Sequence, residues 1–170
     1  MAFVSQAPVR RNSHLIPAGF ALVVTGLLCV LHMRFLGVSW PLLWLPFAVV
    51  SLWPRQASPV PSAVLIFIGG LWVDWVTLGV PGQWPAVMLV TYAILRPDLG
   101  EPVRGVVVAY ARFAQALIIG VPVFVLSGRL VYTVWPDPFA LLRGIAIVIV
   151  LLPLIALVRD LAAGRLSGDD

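Results

Sequence analysis

The stretch GGLWVDWVTLGVPGQWP, residues Gly69 to Pro85, decides how this chain folds. It places a carboxylate, Asp74, between Trp72 and Trp75 in the middle of an apolar run. An acid at the centre of a membrane helix costs about 2.5–3.5 kcal/mol on insertion scales, so such residues face the bundle interior and find a partner there. We therefore expect Asp74 to organise contacts between helices.

The composition of the chain predicts an integral membrane protein. The 170 residues are 61% hydrophobic and 11% charged, and the mean hydropathy is +1.04. Soluble domains carry about 25% charged residues. Because this chain has less than half of that share, it cannot cover its surface with polar groups. The prediction is one all-α membrane domain over residues 1–170, a polytopic helix bundle with no soluble domain.

Six apolar runs are candidate membrane spans. A helix needs about 20 apolar residues to cross the hydrocarbon, with a range of about 17 to 25. The fourth run is short and begins near Pro81 and Pro85, so five spans remain an alternative. The predicted spans are residues 15–33, 36–53, 60–80, 82–95, 113–134 and 138–158.

The distribution of arginine favours six spans over five. Positively charged residues mark the cytoplasmic side of a membrane protein. With six spans, one side carries Arg34 in its loops, and the other side carries both termini and most of the remaining arginines. We therefore predict cytoplasmic termini. Tryptophan prefers the interfacial layer, which places Trp53 at the inner boundary and Trp40, Trp84 and Trp135 at the outer one.

Several classes of function do not fit the sequence. The arginines are scattered between apolar runs, unlike the basic stripe of a nucleic-acid-binding protein. An intramembrane aspartyl protease needs two carboxylates, whereas the predicted spans contain Asp74 alone. His14 and His32 flank the first span, and with Cys29 they form no metal-binding motif. We expect no enzymatic activity, no cofactor and no metal.

Three ionisable residues lie inside the predicted spans at similar depths. Asp74, Arg129 and Arg143 all lie within about six residues of the predicted outer ends, which corresponds to a depth of roughly 7 to 9 Å. We predict a buried polar cluster in which Asp74 accepts hydrogen bonds from Arg143 or, as a second choice, from Arg129. The alternative is that both arginines extend outward to the headgroups.

Small residues surround the acid. Gly70 lies one helical turn before Asp74 and on the same face, where a glycine lets another helix approach closely. Gly79, Pro81 and Gly82 are predicted to end the helix in a tight outer turn.

Residues 69–95 resemble the signature region of the rod shape-determining MreD family. That region has a G-L-x-x-D segment, which is carried here by Gly70, Leu71 and Asp74. A turn of the G-x-P-x-G type follows, which is shortened here to residues 79–82, and then an apolar span.

This resemblance implies a non-enzymatic scaffold or regulator in the inner membrane of a bacterium. Members of the family belong to the machinery that elongates the cell wall and maintains rod shape. Their partners are MreC, the glycosyltransferase RodA, a class B penicillin-binding transpeptidase and, indirectly, the actin-like MreB. Trp72, Trp75 and the loop 96–112 are then candidate partner contacts.

A second hypothesis is a small-molecule-binding subunit of a transporter. The resemblance also implies a helical fold shared with the vitamin-binding subunits of energy-coupling transporters. In that case Asp74, Arg129 and Arg143 would bind an anionic or zwitterionic ligand near the outer face. A pocket at this cluster would favour the second hypothesis, and closely packed helices would favour the first.

Overall fold

Helices make up most of the part of the chain that the structure describes. The computed structural model describes residues 15–30, 32–35, 38–54, 57–96, 105–133 and 135–167. A short antiparallel hairpin, β1 (His32–Phe35) and β2 (Val38–Pro41), interrupts the helices. The helices are α1 (Leu15–Leu28), α2 (Leu45–Ser51), α3 (Pro59–Val76), α4 (Gln83–Leu95), α5 (Val106–Tyr132) and α6 (Pro138–Ser167).

Three of these helices are long and apolar enough to cross a membrane. They cover Pro59–Val76, Val106–Val131 and Pro138–Val158. These residues lie within α3, α5 and α6, so the predicted third, fifth and sixth spans correspond to helices. Helices α1 and α4 are apolar but shorter, with 14 and 13 residues.

The predicted second span, 36–53, is wrong as a continuous helix. The segment holds β2, a turn and the seven-residue α2. Proline favours a break here, because its ring removes a backbone N–H and fits best in the first turn of a helix. Pro46 stands in the first turn of α2, and Pro41 ends β2. The first span is also shorter than predicted, since α1 ends at Leu28 and the hairpin follows.

The irregular second segment lies inside the protein. Each of the seven residues of α2 is buried, and so are Trp44, Leu52 and Trp53. In a membrane, non-helical backbone is tolerated only where protein or water covers it. Backbone bonds such as Leu45 N–H to Leu42 O, at 3.0 Å, satisfy the polar groups at the start of α2. The other helices thus take the place of lipid around this segment.

Contacts between the elements show in which direction each one runs. Gly19 faces Leu65 and Gly26 faces Trp72, so α1 and α3 run parallel. The chain must therefore return between them. It does so along α2, from Trp44, which faces Gly144 of α6, to Trp53, which lies near Arg112 at the start of α5.

Helices α3, α4 and α5 are successively antiparallel. Gly70 of α3 faces Pro85 near the start of α4. The Gln83 side chain donates to Phe124 O, and Arg112 donates to Leu95 O, which pairs opposite ends of α4 and α5. We call the end with Asp74 and Trp84 the Asp74 end, and the end with Trp53, Arg96 and Arg112 the Arg96 end.

A buried aromatic cluster holds the Asp74 end together. The Trp44 ring contacts the rings of Phe47, Trp84 and Phe124 at centroid distances of 5.4, 5.6 and 5.4 Å. Edge-to-face and tilted ring pairs each contribute about 0.5–1.5 kcal/mol beyond their buried area. The cluster joins α2, α4 and α5, so it fixes the irregular second segment to its neighbours.

Two of the tryptophans predicted at the membrane boundaries are core residues. Trp84 is 2% exposed and Trp53 is 5% exposed, whereas Trp135 is 68% exposed. The rings of Trp84 and Trp53 therefore face protein, and their depth in the membrane stays a prediction. The buried rings fill the space beside the short α2, which offers no long helical face for packing. The side chain of Trp40 lies outside the described residues.

Replacing Phe47 tests the role of the short helix. Phe47 is fully buried, and its ring lies where a side chain on Gly120 would stand. We expect Phe47→Ala to lower the free energy of unfolding by about 3 kcal/mol, since partly relaxed cavities of this size cost that much. Phe139→Ala removes the same side chain from a site that is 72% exposed, and should change stability by less than about 0.5 kcal/mol. Unfolding in detergent micelles measures both, and equal losses would contradict the buried position of α2.

Candidate functional site

Asp74 is buried and accepts two backbone hydrogen bonds. It lies near the end of α3 and is 4% exposed. Its Oδ2 accepts from the N–H of Gly82 at 2.6 Å, and its Oδ1 accepts from the N–H of Trp84 at 3.1 Å. Both donors belong to the start of α4, where the helix dipole favours a negative charge. The carboxylate of one helix therefore caps the next helix.

This cap completes the hydrogen bonding at the start of α4. The first N–H groups of a helix lack partners within the helix. A side chain at the N-cap position usually supplies one, but here that residue is Gly82, which has none. Gln83 donates to Val80 O at 3.1 Å, Pro85 has no N–H, and Asp74 accepts from the other two. Asp74 thus replaces the missing cap from a distance of eight residues in sequence.

The turn between the two helices begins with a compact helix end. Gly79 N–H donates to Asp74 O at 2.9 Å, and Leu78 N–H donates to Trp75 O at 3.3 Å. This pair of bonds defines the Schellman motif, in which a residue with positive φ ends the helix. Leu78 takes that place with φ of 52°. The predicted turn at Gly79, Pro81 and Gly82 is present, and Leu78 is the residue that the sequence pattern did not single out.

Gly70 allows the close contact between α3 and α4. A Cβ atom added at this residue would stand 2.6 Å from Pro85 N and 2.7 Å from Pro85 Cα. Real Cβ atoms do not approach other atoms so closely. The nearest atoms belong to the backbone of Pro85, which cannot rotate away as a flexible side chain can. The predicted approach of another helix at Gly70 is thus present, and the partner is the first turn of α4.

The two arginines do not join Asp74, so the predicted choice of partner is wrong. Arg143 Nη2 lies 4.0 Å from Asp137 Oδ2, and its Nε donates to Phe139 O at 3.2 Å. The guanidinium of Arg129 lies over the Trp135 ring, 5.6 Å from its centroid. Both arginines remain near the rim of the bundle. This geometry matches the alternative in which they extend outward, because the acid already has closer donors in its own hairpin.

The two tryptophans beside Asp74 have different surroundings. The Trp72 Nε1–H donates to Val23 O of α1 at 3.4 Å, and its ring covers Gly26. Trp72 therefore packs against α1, its ring also lies 5.5 Å from the Trp75 ring, and its contact with a partner stays a prediction. Trp75 is 71% exposed and remains available for lateral contact. Residues 97–104 of the predicted contact loop, 96–112, lie outside the described residues.

The cap could have been anticipated from one feature of the sequence. Gly82 begins α4 without a capping side chain, and Pro85 removes one of the early donors. Two backbone donors then need an outside acceptor, and Asp74 is the nearest acid. The chemistry of this site is structural, because both carboxylate oxygens are engaged and the side chain is closed to solvent.

No group of three or more His, Cys, Asp or Glu side chains that could hold a metal ion occurs among the described residues. Comparison with known proteins adds no relative: no protein-family model, curated protein or solved structure matches this chain.

Substitutions of Asp74 separate a helix cap from an ion pair. Asp74→Ala leaves two buried N–H groups without acceptors, so we expect the free energy of unfolding to fall by about 2–4 kcal/mol. Asp74→Asn keeps one acceptor oxygen, so its free energy of unfolding should fall by less than that of Asp74→Ala. Arg129→Gln and Arg143→Gln leave the cap intact and should cost less than about 1 kcal/mol each. If either arginine variant loses as much stability as Asp74→Ala in denaturant titrations, an ion pair replaces the cap as the explanation.

An alanine at Gly70 should separate α3 from α4. We expect Gly70→Ala to destabilise the protein by about 1–3 kcal/mol, the usual cost of overpacking. Gly19→Ala is the matched control, because a Cβ there would lie 3.9 Å from Leu65, an ordinary contact. Alanine favours the helix interior over glycine, so the control should be neutral or slightly stabilising. Thermal unfolding of both variants gives the comparison, and a neutral Gly70→Ala would refute the close approach.

Proposed function

We propose that this chain is a non-enzymatic membrane scaffold or regulator of the bacterial cell-wall elongation machinery, of the MreD type, and that it helps to maintain rod shape. Its partners in this proposal are MreC, RodA and a class B penicillin-binding transpeptidase, with MreB acting indirectly. The motif of residues 69–95 supports the proposal by its resemblance to that family.

The observation that carries the proposal is the closed environment of Asp74. An acid that serves a ligand or a reaction must reach it, whereas this acid is 4% exposed and accepts hydrogen bonds from the backbone at the start of α4. The one acid that the family motif includes therefore builds the helical hairpin. What remains for interaction on the described helices is their lateral surface.

The lateral surface is apolar and extensive. Trp75 and Leu78 are 71% and 88% exposed beside each other at the Asp74 end. The long helices α5 and α6 also expose large apolar side chains, such as Ile118 and Val150. Lipid covers most of such a surface, and an aromatic side chain next to a fixed turn is a suitable anchor for a neighbouring membrane helix. We assign Trp75 as the principal contact residue.

Six passes through the inner membrane, with cytoplasmic termini, belong to the same proposal. The alternating directions of α1, the α2 segment, α3, α4 and α5 support six passes rather than five. Arg96 and Arg112 lie together at the Arg96 end, which supports a cytoplasmic position for that end under the positive-inside rule.

Depletion in the native host tests the proposed role. Loss of an elongation scaffold should convert rods to spheres, which imaging measures directly. Growth as normal rods with a nutrient requirement would instead favour the transporter subunit. That alternative has less support, because Asp74, Arg129 and Arg143 do not form one site.

Complementation of the depleted strain tests the contact surface. We expect Trp75→Ala to restore rod shape poorly and to reduce co-purification of the transpeptidase or MreC. Trp135→Ala is the matched control, since Trp135 is 68% exposed at the same end and also has one neighbour on its ring, Arg129, as Trp75 has Trp72. Equal complementation by both variants, with unchanged co-purification, would remove Trp75 from the proposed interface.

A further inference from the structure

A basic cavity lies at the Arg96 end of the bundle. Its wall includes Ser51, Trp53, Tyr92, Arg96 and Arg112, from the end of α2 and from α4 and α5. Arg112 Nη1 donates to Leu95 O at 3.2 Å, which holds that guanidinium at the wall. The guanidinium of Arg96 lies 5.6 Å from the Tyr92 ring centroid. The side chains of Arg96 and Arg112, from different helices, thus line one small space.

Trp53 adds an unused hydrogen-bond donor to this wall. The residue is 5% exposed, and its Nε1–H has no hydrogen-bond partner among the described residues. Leaving a buried donor unsatisfied costs about 1–3 kcal/mol. Indole nitrogen can only donate, so the missing partner is an acceptor. Because the Arg96 guanidinium lines the same cavity, the acceptor best matched to the site is an anion.

An apolar groove adjoins the cavity. It lies between the start of α3 and the end of α4, and its wall includes Val60, Ala63 and Leu89. Tyr92 and Arg96 line both the cavity and the groove, so the two spaces meet at these residues. A ligand that fills both spaces has an anionic head and an apolar chain.

We propose that this composite site binds an anionic phospholipid, with its phosphate in the cavity and an acyl chain in the groove. Guanidinium groups match phosphate oxygens in charge and geometry. The Trp53 indole N–H supplies a further donor to the phosphate. The Tyr92 ring lies between the space for the headgroup and the space for the acyl chain. The groove distinguishes a lipid from free phosphate, because free phosphate leaves the apolar wall uncovered. This site does not depend on the scaffold proposal.

Native mass spectrometry of the full chain, delipidated in a non-ionic detergent, tests the site. The probes are dioleoyl phosphatidylglycerol, dioleoyl phosphatidylcholine and inorganic phosphate. We expect one phosphatidylglycerol to bind at least about tenfold more tightly than phosphatidylcholine. Arg96→Gln should weaken phosphatidylglycerol about tenfold, the scale of one charge-assisted hydrogen bond. Arg129→Gln, at the Asp74 end, should leave binding unchanged.

Two further variants address the indole and the groove. Trp53→Phe keeps an aromatic ring but removes the donor, and should weaken phosphatidylglycerol several-fold. Ala63→Leu fills the groove, and should weaken phosphatidylglycerol without changing the weak binding of inorganic phosphate. Unfolding temperatures show whether each variant is folded. If Trp53→Phe does not fold, the effect of Arg96→Gln on phosphatidylglycerol binding still tests the site.

Three results would overturn the proposal. Equal loss of binding in Arg96→Gln and Arg129→Gln would show general attraction of anions rather than a site. Binding of inorganic phosphate as tight as that of the lipid, with no effect of Ala63→Leu, would show an anion site without a lipid. Equal affinity for both phospholipids in the unsubstituted protein would show that charge does not select the ligand.

Discussion

The hydrogen bonds between the Asp74 carboxylate and the N–H groups of Gly82 and Trp84 govern this fold. They satisfy the start of α4, where the N-cap residue has no side chain, and they give a buried acid its donors. Gly70 makes them possible, because only a residue without a Cβ lets Pro85 come so near to α3. The turn through Leu78 then returns the chain at the required distance. The hydrogen bonds of Asp74, the close contact at Gly70 and the turn through Leu78 therefore depend on one another.

The second segment depends on the same end of the bundle. Helix α2 is too short to present a full face, so large aromatic rings fill the space around it. Trp84 belongs both to this aromatic cluster and to the capped start of α4. The position of α4 set by Asp74 therefore also sets the position of the ring that covers Trp44. In this way a polar interaction in one hairpin fixes an apolar contact with another segment.

The sequence predicted the helical membrane class, the ends of α4, the tight turn and the burial of Asp74. Composition, helix length and the cost of a buried acid are sufficient for those features. The partner of Asp74 was predicted incorrectly, because equal depth in the membrane brings Arg129 and Arg143 level with the acid but says nothing of which helix faces it. Segment 36–53 was predicted incorrectly because hydropathy measures only how apolar a segment is. A segment buried inside the protein and a helix that faces lipid are equally apolar.

The donors of Asp74 lie within ten residues of it along the chain. An acid that waits for a cation on a distant helix would remain unsatisfied in the lipid until that helix is synthesised. Here α3, the turn and α4 contain both the carboxylate and the backbone N–H groups that donate hydrogen bonds to it. This pair of helices can therefore enter the membrane together, with the Asp74 carboxylate already hydrogen-bonded, and α4 then offers the surface on which α5 packs.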